Sequence, residues 1–251
     1  MKNRCIYELV CIETNNKCTR QCPWCVNGQN EEYRNREKVT LEEKYIVNVL
    51  NDLKDLGFNG IISFSGCNEP LLDPRICDGS LIRLVKQISH NKFKTLIISN
   101  GDLLTNNILE CMIESGLDLL EVSCYEDKNL EKAKKMYELY KNKVNFTLYD
   151  YRDSSVLRHN HGGGIQWGDK EIPKSCFMPI LTSKIRSDGK VCLCIFETQG
   201  LADLGNIKET PYKELLKSDN LNLYRRKIVL DRKNVHPCDC CNFLGIKNQY
   251  K

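Results

Sequence analysis

The sequence predicts an α/β protein, a partial (βα)6 barrel followed by a small C-terminal α+β domain. Over the first 150 residues, short apolar runs alternate with segments of helical period, which is typical of parallel strands joined by helices. Beyond residue 150 the pattern changes to a glycine-rich loop, a β-hairpin at residues 187–190 and a final helix. We therefore expect two domains, at residues 1–150 and 151–251.

Five strands and four helices are predicted in the first domain. A capping box of Thr40 and Glu43 is expected to open the first helix, and Gly57 to close it. The final helix of the second domain is predicted at residues 212–231. The predicted strands span residues 7–13, 60–65, 95–99, 119–123 and 145–149, and the helices of the first domain span 41–56, 81–88, 103–114 and 130–140.

Composition and charge narrow the classes of function. Hydrophobic residues make up 41% of the chain and charged residues 28%, which is ordinary for a soluble globular protein. The net charge of +4 is scattered, so we expect no nucleic-acid partner. No segment is typical of a targeting or membrane element, which indicates a cytoplasmic protein without a membrane partner. In a reducing compartment, fifteen cysteines favour metal binding or redox chemistry over disulfides.

The first group of cysteines directly follows the first predicted strand. Cys18, Cys22 and Cys25 have the spacing C-x3-C-x2-C. Three thiolates on a four-iron cluster leave one iron open for a substrate or cofactor. A zinc knuckle or three buried thiols are the alternative interpretations.

The second group of cysteines lies in the final third of the chain, around the hairpin and after the last helix. Four of these thiolates would fully ligate a second iron-sulfur cluster. A zinc site with four cysteine ligands is the competing assignment. The group contains Cys176, Cys192, Cys194, Cys238, Cys240 and Cys241.

The first group resembles the signature of the radical S-adenosylmethionine superfamily, in which an aromatic residue such as Trp24 precedes the third cysteine. Residues 65–72 resemble the Gly-Gly-Glu-Pro motif of that family, with Asn68 in place of a glycine. The resemblance implies a [4Fe-4S] cluster on the three cysteines and S-adenosyl-L-methionine as the source of a 5′-deoxyadenosyl radical. It implies that the cofactor is bound by Trp24, Gly66, Asn68, Glu69, Ser99, Asn100 and Ser123.

The second group resembles the Twitch domain, a shortened SPASM domain with one auxiliary cluster. This resemblance implies a second [4Fe-4S] cluster, with Cys192 as the alternative to Cys194. The implied ligands are Cys176, Cys194, Cys238 and Cys241.

Length and layout resemble the radical dehydrogenases of the Twitch subgroup, which oxidise a secondary alcohol of a cyclitol or amino sugar to a ketone. That resemblance implies a small-molecule substrate, natural product biosynthesis, and an electron donor such as flavodoxin or ferredoxin. A radical epimerase that uses a cysteine thiol as hydrogen donor is the second hypothesis, and modification of a peptide is the third. A zinc-binding interaction module is the hypothesis from outside the enzymes.

Four residues are candidates for catalysis. Cys67 is the candidate hydrogen donor because a thiol S–H bond is weak. Arg158 or His161 is expected to replace an arginine that relatives carry in the glycine-rich loop, since either donates hydrogen bonds. Glu197 lies near the position of an acidic residue that relatives place near substrate.

Overall fold

Seven strands form one open, mostly parallel sheet. The computed structural model describes residues 5–152, 159–166 and 172–243. The strands are β1 (Leu9–Ile12), β2 (Ile61–Ser63), β3 (Lys94–Ser99), β4 (Leu119–Cys124), β5 (Asn145–Asp150), β6 (Thr182–Ile185) and β7 (Val191–Cys192). Their order is β5-β4-β3-β2-β1-β6-β7, and only the β6–β7 pair is antiparallel. The sheet is not closed, so the predicted partial barrel is confirmed.

Helices cover one face of this sheet. Within the described ranges they are α1 (Val26–Gln29), α2 (Glu31–Asn35), α3 (Glu43–Asp55), α4 (Pro74–Cys77), α5 (Ser80–Ser89), α6 (Asn106–Glu114), α7 (Asp127–Tyr140), α8 (Met178–Leu181), α9 (Tyr212–Leu215) and α10 (Asp219–Asp231). Side chains such as Leu50, Val85 and Leu109 pack from these helices against Val10 and Ile97 of the sheet, all fully buried. Removing this apolar surface from water stabilises the layered core.

Two helix predictions are wrong. No capping box opens α3: Glu42 precedes it without a side-chain cap, and Thr40 instead forms a backbone bridge with Asn15. The helix predicted at residues 212–231 is divided into α9 and α10. Ser218 lies between them, and its hydroxyl accepts a hydrogen bond from the Leu221 N–H, which begins a new helix at that point.

The predicted hairpin is present between β6 and β7 and extends the sheet beyond β1. Parallel pairing joins Leu9 to Thr182 and Cys11 to Lys184. At the turn, Gly189 has a φ of 92°, and a Cβ there would lie 2.3 Å from Asn206 Oδ1, so the turn requires glycine. Residues 182–192 thus continue the sheet of the first domain. The division at residue 150 stays a prediction.

In the described part of the chain, no helix has the length and apolar character needed to cross a bilayer.

Candidate active site

The three cysteines of the first group lie on the loop that leaves the carboxyl end of β1. Cys18, Cys22 and Cys25 are free thiols of intermediate burial. The loop is folded tightly, since the Cys25 N–H donates to the Cys22 carbonyl at 3.0 Å. A Cβ on Gly28 would lie 2.0 Å from that same carbonyl oxygen, so α1 packs against the loop only with glycine there. The three thiols are therefore presented together from one ordered turn.

Glu69 joins the end of β2 to the end of β3. It is 1% exposed. Its Oε1 accepts from the Ser99 hydroxyl at 2.8 Å and the Leu71 N–H at 3.1 Å, and its Oε2 accepts from the Asn100 N–H at 2.9 Å. Burial raises the pKa of Glu69, against the effect of these hydrogen bonds. The carboxyl group thus holds two strand ends in one arrangement.

The end of β3 reaches the cysteine loop through Asn100. Its Nδ2 lies 3.9 Å from Cys18 Sγ and 2.9 Å from Thr19 Oγ1. The Glu69 N–H, in turn, donates to the Lys17 carbonyl at 2.8 Å, just before Cys18. Glu69, Asn100 and the cysteine loop therefore meet at the carboxyl edge of the sheet, where parallel α/β proteins bind ligands.

Aromatic residues form the other side of this edge. The Trp24 ring lies 5.4 Å from the Tyr125 ring, which directly follows β4. Ser123, near the end of β4, is buried, and it lowers the pKa of Tyr125 against the stronger effect of burial. Trp24 and Ser123, both predicted to bind the cofactor, are thus linked through Tyr125, which the sequence analysis missed. Its position one residue beyond a strand was the available signal.

The turn after β2 places small and unpaired polar groups beside the cysteines. A Cβ on Gly66 would lie 2.9 Å from Glu13 Oε1, so glycine permits this close approach. Both side-chain amide atoms of Asn68 are buried without a hydrogen-bond partner among the described residues. The buried Cys67 packs against Cys25, and the interaction of the two thiols lowers the pKa of Cys67 and raises that of Cys25. Unpaired amide atoms of this kind suit a polar ligand.

A buried charged group lies beneath the turn, and the sequence analysis missed it. Glu13 is fully buried at the end of β1, with its Oε1 3.8 Å from Lys184 Nζ and its Oε2 3.6 Å from Arg36 Nη2. Lys184 is itself 1% exposed, and Cys67 donates its backbone N–H to Glu13 Oε1 at 3.2 Å. The signal that could have revealed this group is the presence of charged residues within apolar strand patterns.

Four cysteines of the second group come together in the C-terminal region. Burial raises the pKa of Cys194 well above its usual value, and the negative charges of Cys241, Cys238 and Cys176 raise it further. The four thiols therefore lie near enough to interact electrostatically, and all are buried. Cys192 has different surroundings: after burial, its pKa responds chiefly to Glu197, Lys184 and Arg186. The structure thus groups Cys194, and not Cys192, with the other three.

No three of the predicted ligand sulfurs of either cysteine group lie within 4.8 Å of one another. Tetrahedral zinc with Zn–S bonds of about 2.3 Å would hold its sulfurs about 3.8 Å apart. Among the described residues, the trio whose ligand atoms all lie within 4.8 Å of one another is His236, Asp239 and Cys240, which includes none of the predicted cluster ligands. In a four-iron cluster each thiolate binds a different iron, which allows a wider spacing. Neither predicted ligand set therefore has the compact spacing of a formed zinc site.

Of the three other candidate catalytic residues, the structure describes His161 and Glu197. His161 is half-buried, and its Nε2 lies 3.2 Å from the Trp24 carbonyl oxygen, which ties the glycine-rich loop to the cysteine loop. Glu197 is 3% exposed, and its Oε1 accepts from the N–H groups of Gln199 and Gly200 at 2.8 and 2.6 Å. These contacts with backbone groups favour a role for His161 and Glu197 in positioning loops. A catalytic role for either residue stays a prediction. Arg158 lies outside the described residues.

Known proteins resemble this chain in its C-terminal region and in its fold. Residues 176–242 match the SPASM family, described as an iron-sulfur cluster-binding domain. The fold is similar to that of BtrN, a radical S-adenosylmethionine 2-deoxy-scyllo-inosamine dehydrogenase, solved with AdoMet and 2-DOIA. The TM-score is 0.82 at 21% identity, over 96% of this chain and 95% of BtrN. The predicted resemblance to radical S-adenosylmethionine enzymes is confirmed.

Two further proteins are similar to this chain, one in its fold and one in part of its sequence. The enzyme anSMEcpe with bound AdoMet has a TM-score of 0.58 at 14% identity, over 88% of this chain and 79% of that chain. A tungsten-containing aldehyde ferredoxin oxidoreductase cofactor-modifying protein of Pyrococcus furiosus is 27% identical over 112 residues. That match covers 45% of this chain and 29% of the relative's length.

The two cysteines that flank Leu193 provide a matched pair of variants. Cys194→Ser should lose the iron of one cluster, because Cys194 lies among the other three buried thiols. Cys192→Ser should keep the wild-type iron content, because its neighbours are charged side chains. Iron and sulfide analysis of anaerobically reconstituted protein measures both. Loss of iron in Cys192→Ser with retention in Cys194→Ser would reverse the assignment.

His159 should make stability depend on pH. Burial against Phe196 and Phe243 lowers the pKa of His159 to about 4, from about 6.5 in an unfolded chain. Below about pH 6.5 the unfolded chain therefore gains a proton that the folded chain does not, and stability falls until about pH 4. The expected loss between pH 7 and 5 is at most about 2 kcal/mol. Urea unfolding at both pH values should show a smaller loss for His159→Phe, whereas His236→Gln, which changes an exposed ring, should match the wild type.

Proposed function

We propose that this protein binds S-adenosyl-L-methionine at a [4Fe-4S] cluster on Cys18, Cys22 and Cys25 and abstracts a hydrogen atom from a substrate carbon. The observation that carries this proposal is the meeting of the cysteine loop with Asn100 and Glu69. Asn100 Nδ2 lies 3.9 Å from Cys18 Sγ, and the Asn100 N–H donates to Glu69 at 2.9 Å. A zinc module would not need a buried carboxylate to join two strand ends to its thiols.

When bound, the cluster and cofactor together supply a 5′-deoxyadenosyl radical by one-electron cleavage of the sulfonium. The chain contributes the surrounding structure. The three thiols can hold three irons and leave the fourth open. The unpaired amide of Asn68 offers a donor and an acceptor to a polar ligand, and Trp24 with Tyr125 offers an aromatic surface. Glu69 fixes the strand ends from which these groups project.

The reaction we propose is the oxidation of a secondary alcohol of a cyclitol or amino sugar to a ketone. It removes a hydrogen atom from carbon, a proton from the hydroxyl group and one electron. Two observations support it: the similarity to BtrN extends over 96% of this chain, and that enzyme was solved with 2-DOIA. The second [4Fe-4S] cluster, on Cys176, Cys194, Cys238 and Cys241, would give the chain a further redox centre.

Epimerisation is the second candidate reaction, and the position of Cys67 favours it. This thiol is 4% exposed and contacts Cys25, so it lies beside the proposed cluster. A hydrogen returned from the opposite face of the substrate radical would invert the carbon.

A peptide is the third candidate substrate. We propose that the protein lies in the cytoplasm, because a chain with fifteen thiols suits a reducing compartment. Flavodoxin or ferredoxin is the proposed electron donor.

Incubation in deuterated water distinguishes the two reactions. Anaerobically reduced protein would be mixed with S-adenosyl-L-methionine and a panel of cyclitols and amino sugars. Dehydrogenation predicts 5′-deoxyadenosine and a ketone, and epimerisation predicts an inverted carbon that carries solvent deuterium. In the second case Cys67→Ala should abolish deuterium incorporation, with the equally buried Cys124→Ala as control. Zinc without iron in the purified protein would contradict both reactions.

A further inference from the structure

Arg232 is an unusually buried cation in the C-terminal region. It is 1% exposed and follows directly after α10. Its Nε donates to the Pro173 carbonyl at 2.8 Å, and its Nη2 donates to the carbonyls of Cys241 at 3.0 Å and Phe243 at 2.8 Å. These acceptors are all uncharged. Within the described ranges, no carboxylate oxygen lies within 4.0 Å of its guanidinium.

A buried cation ordinarily has an anionic partner, because the loss of hydration is costly without one. Lys184, the other buried cation of the described ranges, has Glu13 at 3.8 Å. The partly buried Arg75 and Arg186 have Asp73 and Asp188 at 2.7 Å. Carbonyl dipoles alone give Arg232 hydrogen bonds but no balancing charge. The described part of the chain therefore lacks an obvious anion for it.

Three of the predicted cluster ligands lie near Arg232. Its Nη2 donates to the Cys241 carbonyl at 3.0 Å, and its positive charge acts on the thiols of Cys176 and Cys238. Neutral thiols would not balance its charge. Four thiolates on a four-iron cluster would, because such a cluster has a net negative charge.

We propose that Arg232 is the buried counter-charge of the iron-sulfur cluster held by Cys176, Cys194, Cys238 and Cys241, and that it raises the reduction potential of that cluster. The inference rests on the second cluster of the proposed function. A positive charge close to a cluster favours the form that has gained an electron. Through the Cys241 carbonyl, Arg232 also orients a ligand, so it is a positioning residue.

The test uses full-length protein in which Cys18, Cys22 and Cys25 are alanine, so that only the auxiliary cluster remains. Arg232→Met removes the charge, and Arg232→Lys keeps it without the planar fork of donors. Arg226→Met, which changes an exposed residue of α10, is the matched control. Iron content and a reductive titration followed by electron paramagnetic resonance are measured for each protein.

We expect Arg232→Met to shift the midpoint potential to a more negative value or to lose the cluster, while Arg232→Lys keeps the iron and a potential near that of the parent. Arg226→Met should match the parent in both measurements. An unchanged potential and iron content in Arg232→Met would overturn the inference. Equal loss of iron in the Lys and Met variants would also overturn it, because hydrogen-bond geometry and not charge would then be responsible.

The parent with three alanines separates this inference from the rest of the proposed function. If it holds no iron, the auxiliary cluster is absent and the role of Arg232 falls with it. Cleavage of S-adenosyl-L-methionine by protein that retains Cys18, Cys22 and Cys25 reports on the first cluster independently. The two failures are therefore distinguishable.

Discussion

Replacing Cys18, Cys22 and Cys25 together by alanine should lower the iron content from about eight to about four atoms per chain, as two four-iron clusters require. It should also abolish formation of 5′-deoxyadenosine. The physical reason is that the three thiols lie on one loop and the other four predicted ligands lie in the C-terminal region, so one site can be emptied separately. Iron and sulfide analysis with electron paramagnetic resonance measures the first effect.

Three cysteines outside both groups give the control for this experiment. Cys5, Cys77 and Cys111 are free thiols outside the two predicted ligand sets. Their replacement by alanine should leave iron content and cofactor cleavage unchanged. About four irons in the wild type and none in the variant would leave the C-terminal cysteines without a cluster. Equal iron contents in wild type and variant would contradict the assignment of the first site.

Glu69→Gln should have the second largest effect, although it changes the shape of the side chain very little. The two carboxylate oxygens accept three hydrogen bonds, from Leu71, Ser99 and Asn100. A glutamine amide replaces one acceptor by an NH2 group, which then faces a buried donor. We expect a loss of about 1 to 3 kcal/mol in the free energy of unfolding. If the same free energy is lost from the arrangement of strand ends that binds the cofactor, cleavage of S-adenosyl-L-methionine should slow roughly 10- to 100-fold.

Glu121→Gln is the matched control for Glu69→Gln. Glu121 lies on β4, and burial raises its pKa as it does that of Glu69. It does not take part in the hydrogen bonds that join the cysteine loop to β2 and β3. Chemical unfolding and the rate of 5′-deoxyadenosine formation are measured for both variants. Similar rates for the two variants would show that the Glu69 junction does not organise the cofactor site.

Local sequence patterns predicted most of the secondary structure. Each of the five predicted strands of the first domain lies within two residues of an observed one, because a buried parallel strand is a short apolar run between turns. Helix boundaries were less predictable. Thr40 and Glu43 have capping-box spacing, yet Thr40 pairs with Asn15, so a tertiary contact took precedence over the local signal.

The two cysteine groups and the turn that carries Glu69 could be predicted from residue type and short-range spacing. The grouping of the cysteines could not, since Cys192 and Cys194 are two residues apart but have different surroundings in the folded chain. Folding also brings Glu13 to Lys184 and Arg232 to the Pro173 carbonyl, which are contacts between residues far apart in the chain. Burial and charge balance of this kind arise from packing in three dimensions, which local spacing does not encode.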